Sequence, residues 1–142
     1  MKTLAIGLRH EETLTVTEAL TVPAVSQAFV GFADMPPVFA TAFLVGFAEW
    51  TCVEALRPHL AAGEQTVGVH VDLSHVAATP VRMRVTVAVE LIEIDGRRLR
   101  FRLECRDEVE MIGAGFHDRA IIDALRFRER VSRKQRRDGG GR

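Results

Sequence analysis

A chain of 142 residues is long enough to bury one hydrophobic core and short for two. Apolar residues make up 47% and charged ones 27%, the balance of a globular domain, and no apolar run reaches the roughly 20 residues of a membrane span. The formal net charge is zero, but it is unevenly spread. From Leu125 to Arg142 eight basic residues stand against Glu129 and Asp138, so this segment carries +6 and the rest of the chain, by difference, −6.

The opening MKTLAIGLRHEET has one lysine and a short apolar stretch broken by Arg9, His10 and Glu11. It lacks the length and cleavage site of a secretion signal, which predicts a cytoplasmic protein. Cys52 and Cys105 have no metal-ligand spacing and read as free thiols, in keeping with that compartment. Leu14 to Ala19 alternates weakly and predicts a first strand, followed by a loop with Pro23, Gly31, Pro36 and Pro37 as breakers. Pro37 suits a first helical turn, where its missing N–H costs nothing. The spacing predicts a helix from about Val38 toward Leu60, with Pro58 in its last turn and Gly63 beyond it. Its first four turns are apolar nearly all round, the mark of a helix buried on most sides.

Strands follow the helix. Val67 to Val76 has apolar residues on alternate positions. Val81 to Ile94 places Val85, Val87, Val89 and Leu91 on one face. Asp95-Gly96 is a strong hairpin signal, after which Arg97 to Arg106 returns with Leu99, Phe101, Leu103 and Cys105 on one face. Glu110 to Ile122 predicts a last strand, loosened by Gly113 and Gly115, and Asp123 to Arg130 a short helix. The order is strand, long helix, then four antiparallel strands. A five-stranded sheet wrapped around one apolar helix satisfies it, an α+β hot-dog fold. Residues 1–127 form that domain and residues 128–142 a basic, flexible tail. A lone subunit of this kind leaves a sheet edge uncovered, which predicts a homodimer. The tail has no aromatic interleaving, so a solvated terminus is favoured over nucleic-acid contact.

Glu49 is the only charged side chain from Val38 to Val53. A carboxylate in such surroundings requires a partner, and carboxylates of this kind concentrate in functional clefts. Strand alternation puts His75 at the end of the stripe Val67, Val69, Val71, Leu73, on the face turned to the helix, where it can pair with Glu49. Thr41 lies eight residues before Glu49 on the same side of the helix and can orient a water or supply a hydroxyl nucleophile. No metal-binding spacing is present, and none of this chemistry calls for a cofactor.

The segments PPVFATAFLVGFAEWTCVEALRPHL, GEQTVGVHVDLSHVAATP and GAGFHDRAII together resemble the fluoroacetyl-CoA thioesterases of the hot-dog superfamily. The resemblance runs from about Phe32 to Phe127. It implies hydrolysis of a short acyl-CoA by Thr41, Glu49 and His75 acting together. It also implies that the Gly68 N–H binds the thioester carbonyl and that Arg119 contacts the substrate. Glycine allows close approach, and a guanidinium suits a phosphate or carboxylate. The family's two-phenylalanine lid corresponds to Phe32 and Met35, and the methionine implies a looser pocket with less fluorine selectivity. Two other readings share the fold: a non-catalytic acyl-CoA-binding module and an acyl-CoA hydratase.

Overall fold

The computed structural model describes residues 3–140, with the side chains of residues 138–140 excepted. Five strands form one antiparallel sheet: β1 (Arg9–Thr15), β2 (Glu64–Leu73), β3 (Arg84–Asp95), β4 (Arg98–Asp107) and β5 (Met111–Asp123), in the order β1-β3-β4-β5-β2. Helix α1 (Thr41–Leu56) packs against its concave face, and α2 (Ala124–Gly140) follows β5. This is the expected hot-dog architecture. The core is built where the alternation is cleanest. Val85, Val87, Val89 and Leu91 on β3 and Leu99, Phe101, Leu103 and Cys105 on β4 all point at α1 and are buried. Burying one such aliphatic or aromatic side chain stabilises the fold by about 1.5–3 kcal/mol. On α1 the inward stripe is Leu44, Phe47, Ala48, Thr51, Cys52, Ala55 and Leu56, the 3.6-residue period of one helical face. Its other side, with Ala42, Gly46 and Trp50, is exposed in the single chain, so α1 is less enclosed than its apolar sequence implies. Burial pushes the thiols of Cys52 and Cys105 up to about 12, which leaves both as inert core groups.

Four elements differ from the sequence expectation. The first strand is Arg9–Thr15, ahead of the predicted Leu14–Ala19: Val16 still bonds Met83 and Arg82, and Glu18–Leu20 then closes a 3-10 turn. The helix begins at Thr41, not Val38. Val38 to Ala40 are extended, and their backbone groups bond Val22, Thr79 and Leu20 instead of a helical turn. Helix α1 ends at Leu56, and Pro58 sits in a separate 3-10 turn, Arg57–His59. The C-terminal helix reaches Gly140, well past Arg130. Asp123 caps its start by accepting the Arg126 N–H at 3.0 Å, and no helix breaker occurs before Gly139. The last two residues of the basic tail, Gly141 and Arg142, lie outside the described residues.

The fourth difference concerns β2. A bulge at Val69 sets Gly68 opposite Arg119 and His70 opposite Asp118. Cross-strand partners share a face, so Thr66 and Gly68 face α1 before the bulge and Val71 and Leu73 face it afterwards. The single stripe Val67, Val69, Val71, Leu73, His75 therefore does not exist. Because β2 is an edge strand, Val69 and Val71 remain 44% and 42% exposed. Gly113 and Gly115 do not loosen β5: a Cβ at either would collide with the carbonyl oxygens of Ser74 and Asp72, so they let β2 close onto it. Among the described residues no helix is long and apolar enough to cross a membrane.

Candidate active site

Two polar clusters sit along α1, one at its first residue and one about two turns further on. The first pairs its opening residue with the segment after β2. Thr41 Oγ1 and His75 Nδ1 are 2.7 Å apart, and the His75 ring meets Phe39 edge-on at 6.4 Å. Thr41 holds its place because Phe39 and Ala40 are tied to Thr79 and Leu20 by backbone bonds. Burial holds the His75 imidazole below the ordinary histidine value, which favours the neutral, base-competent form. Its Nε2 is buried and has no hydrogen-bond partner among the described residues. A hydroxyl against a neutral imidazole is the geometry of an activated nucleophile or of a group that positions water.

The second cluster surrounds Glu49. The Arg119 Nη1 donates to Glu49 Oε2 at 3.0 Å and to His117 Nε2 at 3.1 Å. The Arg119 Nε donates to Thr66 Oγ1 and its Nη2 to the Thr66 carbonyl, both at 2.9 Å. Four of the five guanidinium N–H bonds are thus spent on this chain. Gly68 lies opposite Arg119, and a Cβ there would stand 2.6 Å from Glu49 Oε2 and 3.2 Å from the His117 ring. Glu49, Gly68, Val69, His70, Val71 and His117 line a shallow cleft of about 360 Å³ at the β2 edge.

The structure therefore joins Thr41 to His75, and joins Glu49 to Gly68 and Arg119, but it does not join the two sets within one chain. Eight residues of helix separate Thr41 from Glu49, about 12 Å of rise. The expected His75–Glu49 pair is replaced by Arg119 on Glu49 and Thr41 on His75. Nor is Glu49 an enclosed carboxylate: its side chain is 41% exposed, with its charge balanced by Arg119. Phe32 and Met35 lie on the loop that leads to Thr41. Phe32 meets Phe29 edge-to-face at 5.7 Å, and Met35 is exposed. His117 was not among the sequence candidates. The signal for it was the two-residue period of β5, which puts it on the same face as Arg119.

The family profile described as fluoroacetyl-CoA-specific thioesterase matches residues 16–125. The fluoroacetyl-CoA thioesterase of Streptantibioticus cattleyicolor is 40% identical over 131 residues, 92% of this chain and 94% of that protein. A solved structure of the fluoroacetyl-CoA thioesterase superposes with a TM-score of 0.91 at 39% identity, covering 94% of this chain and 98% of that one. A thioesterase superfamily member from Thermus thermophilus superposes at 0.87 with 25% identity, covering 99% of both chains. The chain belongs to the fluoroacetyl-CoA-specific thioesterase family, and is a thioester hydrolase of the hot-dog fold.

Proposed function

We propose that the protein hydrolyses fluoroacetyl-CoA or acyl-CoA thioesters of similar size, as a cytoplasmic homodimer whose two sites are each built from both copies. Family membership supports the reaction. The observation that carries the mechanism is the 2.7 Å Thr41–His75 bond together with the unpartnered Nε2 on the other side of the ring. Thr41 Oγ1 attacks the thioester carbonyl or aligns the attacking water, and His75 Nδ1 takes the proton. Glu49 of a second copy meets Nε2 and steadies the imidazolium that forms. Water adds across the C–S bond, giving the carboxylic acid and free CoA.

The dimer reading rests on α1 and β2. Val45 and Gly46 lie midway between Thr41 and Glu49, and a Cβ added at Gly46 would meet nothing within 4 Å in the single chain. Two α1 helices crossing antiparallel at that point set Thr41 of each copy beside Glu49 of the other. Val69 and Val71 on β2 and Trp50 on α1 are large apolar side chains left exposed in the single chain. Gly68 supplies the N–H for the oxyanion, and Phe32 and Met35 cover the acyl group. Residues 1–127 carry the reaction, and the basic segment 128–142 is an appendage to it.

Incubating the protein with fluoroacetyl-CoA, acetyl-CoA and a thiol reagent tests this. CoA release from wild type, cut at least about a hundredfold in Glu49→Gln and in His75→Ala, is the expected result. Binding without CoA release would instead identify an acyl-CoA-binding module, and water addition to an enoyl-CoA a hydratase.

A further inference from the structure

We infer that His117 is a positioning residue that works as a permanently neutral hydrogen-bond acceptor, holding Arg119 onto Glu49. Two partners that allow only one protonation state fix its role. A carbonyl oxygen can only accept, so the 2.7 Å bond between Nδ1 and the His70 carbonyl places the proton on Nδ1. A guanidinium can only donate, so the 3.1 Å contact from Arg119 Nη1 requires a lone pair on Nε2. A protonated ring would turn an N–H toward the guanidinium and break this contact.

The surroundings enforce the same state. His117 is 2% exposed, between α1 and the sheet. The groups that face it are Arg119 from its own strand, Glu49 from α1 and the His70 carbonyl from β2, while Asp118, on the opposite face of β5, acts only through its charge. Burial is the largest influence and holds the ring below the ordinary histidine value, and the Arg119 charge pushes in the same direction. The His70 bond, Glu49 and Asp118 oppose it. Glu49 Oε2 is 3.9 Å from Nε2, too far for a hydrogen bond, so the ring acts on the carboxylate only through the guanidinium. The bulge at Val69 is part of the device. It shifts the register so that the His70 carbonyl lies beside His117 while Gly68 stays opposite Arg119. His117 thus adds a third anchoring residue to Glu49 and Thr66 around Arg119, and the carboxylate is held at a fixed point of the cleft.

The inference rests on the thioesterase reading for its kinetic consequence but not for its structural one, so two measurements separate the two. In nitrogen-detected NMR of the resting wild type, His117 should remain the neutral Nδ1–H tautomer from about pH 6 to about pH 8.5. The Arg119 Nε–H should exchange slowly with water. His117→Gln places an amide oxygen near Nε2 and should keep that protection. His117→Asn keeps a donor for the His70 carbonyl but no acceptor at Nε2, and its Arg119 Nε–H should exchange about tenfold faster. On fluoroacetyl-CoA, His117→Asn should lose about tenfold in kcat with KM little changed, and His117→Gln should stay within about threefold of wild type. In a Glu49→Gln background His117→Asn should cost nothing further, because the group it positions is gone. A protonated or Nε2–H ring at neutral pH, equal behaviour of Gln and Asn, or a full additive loss in the double variant would overturn the inference. A wild type that releases no CoA from any acyl-CoA would remove the thioesterase reading and leave the tautomer and exchange results to decide this one.

Discussion

The carboxylate of Glu49 lies next to the bare backbone of Gly68, with Oε2 at 2.6 Å from the point a Cβ would occupy. Real side chains do not approach so closely, so Gly68→Ala must move the carboxylate. The obstructing atom is the end of a flexible side chain, so the backbone has no need to shift. Gly68→Ala should therefore fold, with a Tm within a few degrees of wild type (about 1 kcal/mol or less). It should lose about ten- to a hundredfold in kcat, because a displacement of about 1 Å at a reacting group has that effect. Paired thermal melts and steady-state kinetics check both parts.

Arg119 is held by Thr66, His117 and Glu49 and is itself buried. Arg119→Lys keeps the charge but loses the fork that reaches three partners. Hydrogen bonds to a charged group each contribute about 1.5–3 kcal/mol, so urea unfolding should show a loss of about 2 kcal/mol or more. Turnover should fall at least about tenfold, because Glu49 is released. Since four N–H bonds are already committed, KM for the CoA ester should change less than kcat.

The helix-facing strands β3 and β4 were legible because their alternation has no exceptions from Val85 to Leu91 and from Leu99 to Cys105, and Asp95-Gly96 names its turn, with Gly96 at φ +61°. Strand β1 was misplaced because its inward positions include His10 and Glu12, which bond each other at 2.6 Å and imitate a polar loop. The bulge at Val69 has no sequence signature beyond Gly68, and it split a stripe that looked continuous. The helix start was set too early because tertiary backbone bonds, invisible in sequence, claim Val38 to Ala40. Among site residues, Glu49 stands out in the sequence by its charge, whereas the role of His117 depends on two partners, the His70 carbonyl and Arg119, that only the fold brings to it.

Two histidines are held below the ordinary value of 6.5 by burial, His75 beside Thr41 and His117 beside Arg119. A group with a lowered value in the folded state binds fewer protons there than in the unfolded chain. Stability should rise with pH through the window from their folded values up to about 6.5 and level off above it. Stability is lost as pH falls through that window. Only neutral His75 accepts a proton, so the acid limb of kcat/KM should report its titration, lowered by burial and raised by the carboxylate of Glu49 from the second copy. Urea titrations and pH–rate profiles locate both, and an acid limb that Glu49→Gln does not move to lower pH would refute the assignment.

Met35 is exposed on the loop before Thr41, beside the Phe29–Phe32 edge contact. A flexible thioether gives weaker shape selection than a flat ring. The kcat/KM ratio of fluoroacetyl-CoA to acetyl-CoA should stay below the roughly two-hundredfold that fit alone supplies, and Met35→Phe should raise it.

The central claim is that Thr41 and His75 of one copy work with Glu49 of the other. Heterodimers purified from co-expressed, differently tagged Glu49→Gln and His75→Ala chains test it in one assay. If sites are shared, one of the two sites in each heterodimer is intact, and CoA release should return to about half the wild-type rate although each parent homodimer is inactive. If every site lies within a single chain, both sites are broken, and a heterodimer no more active than its parents would contradict the account.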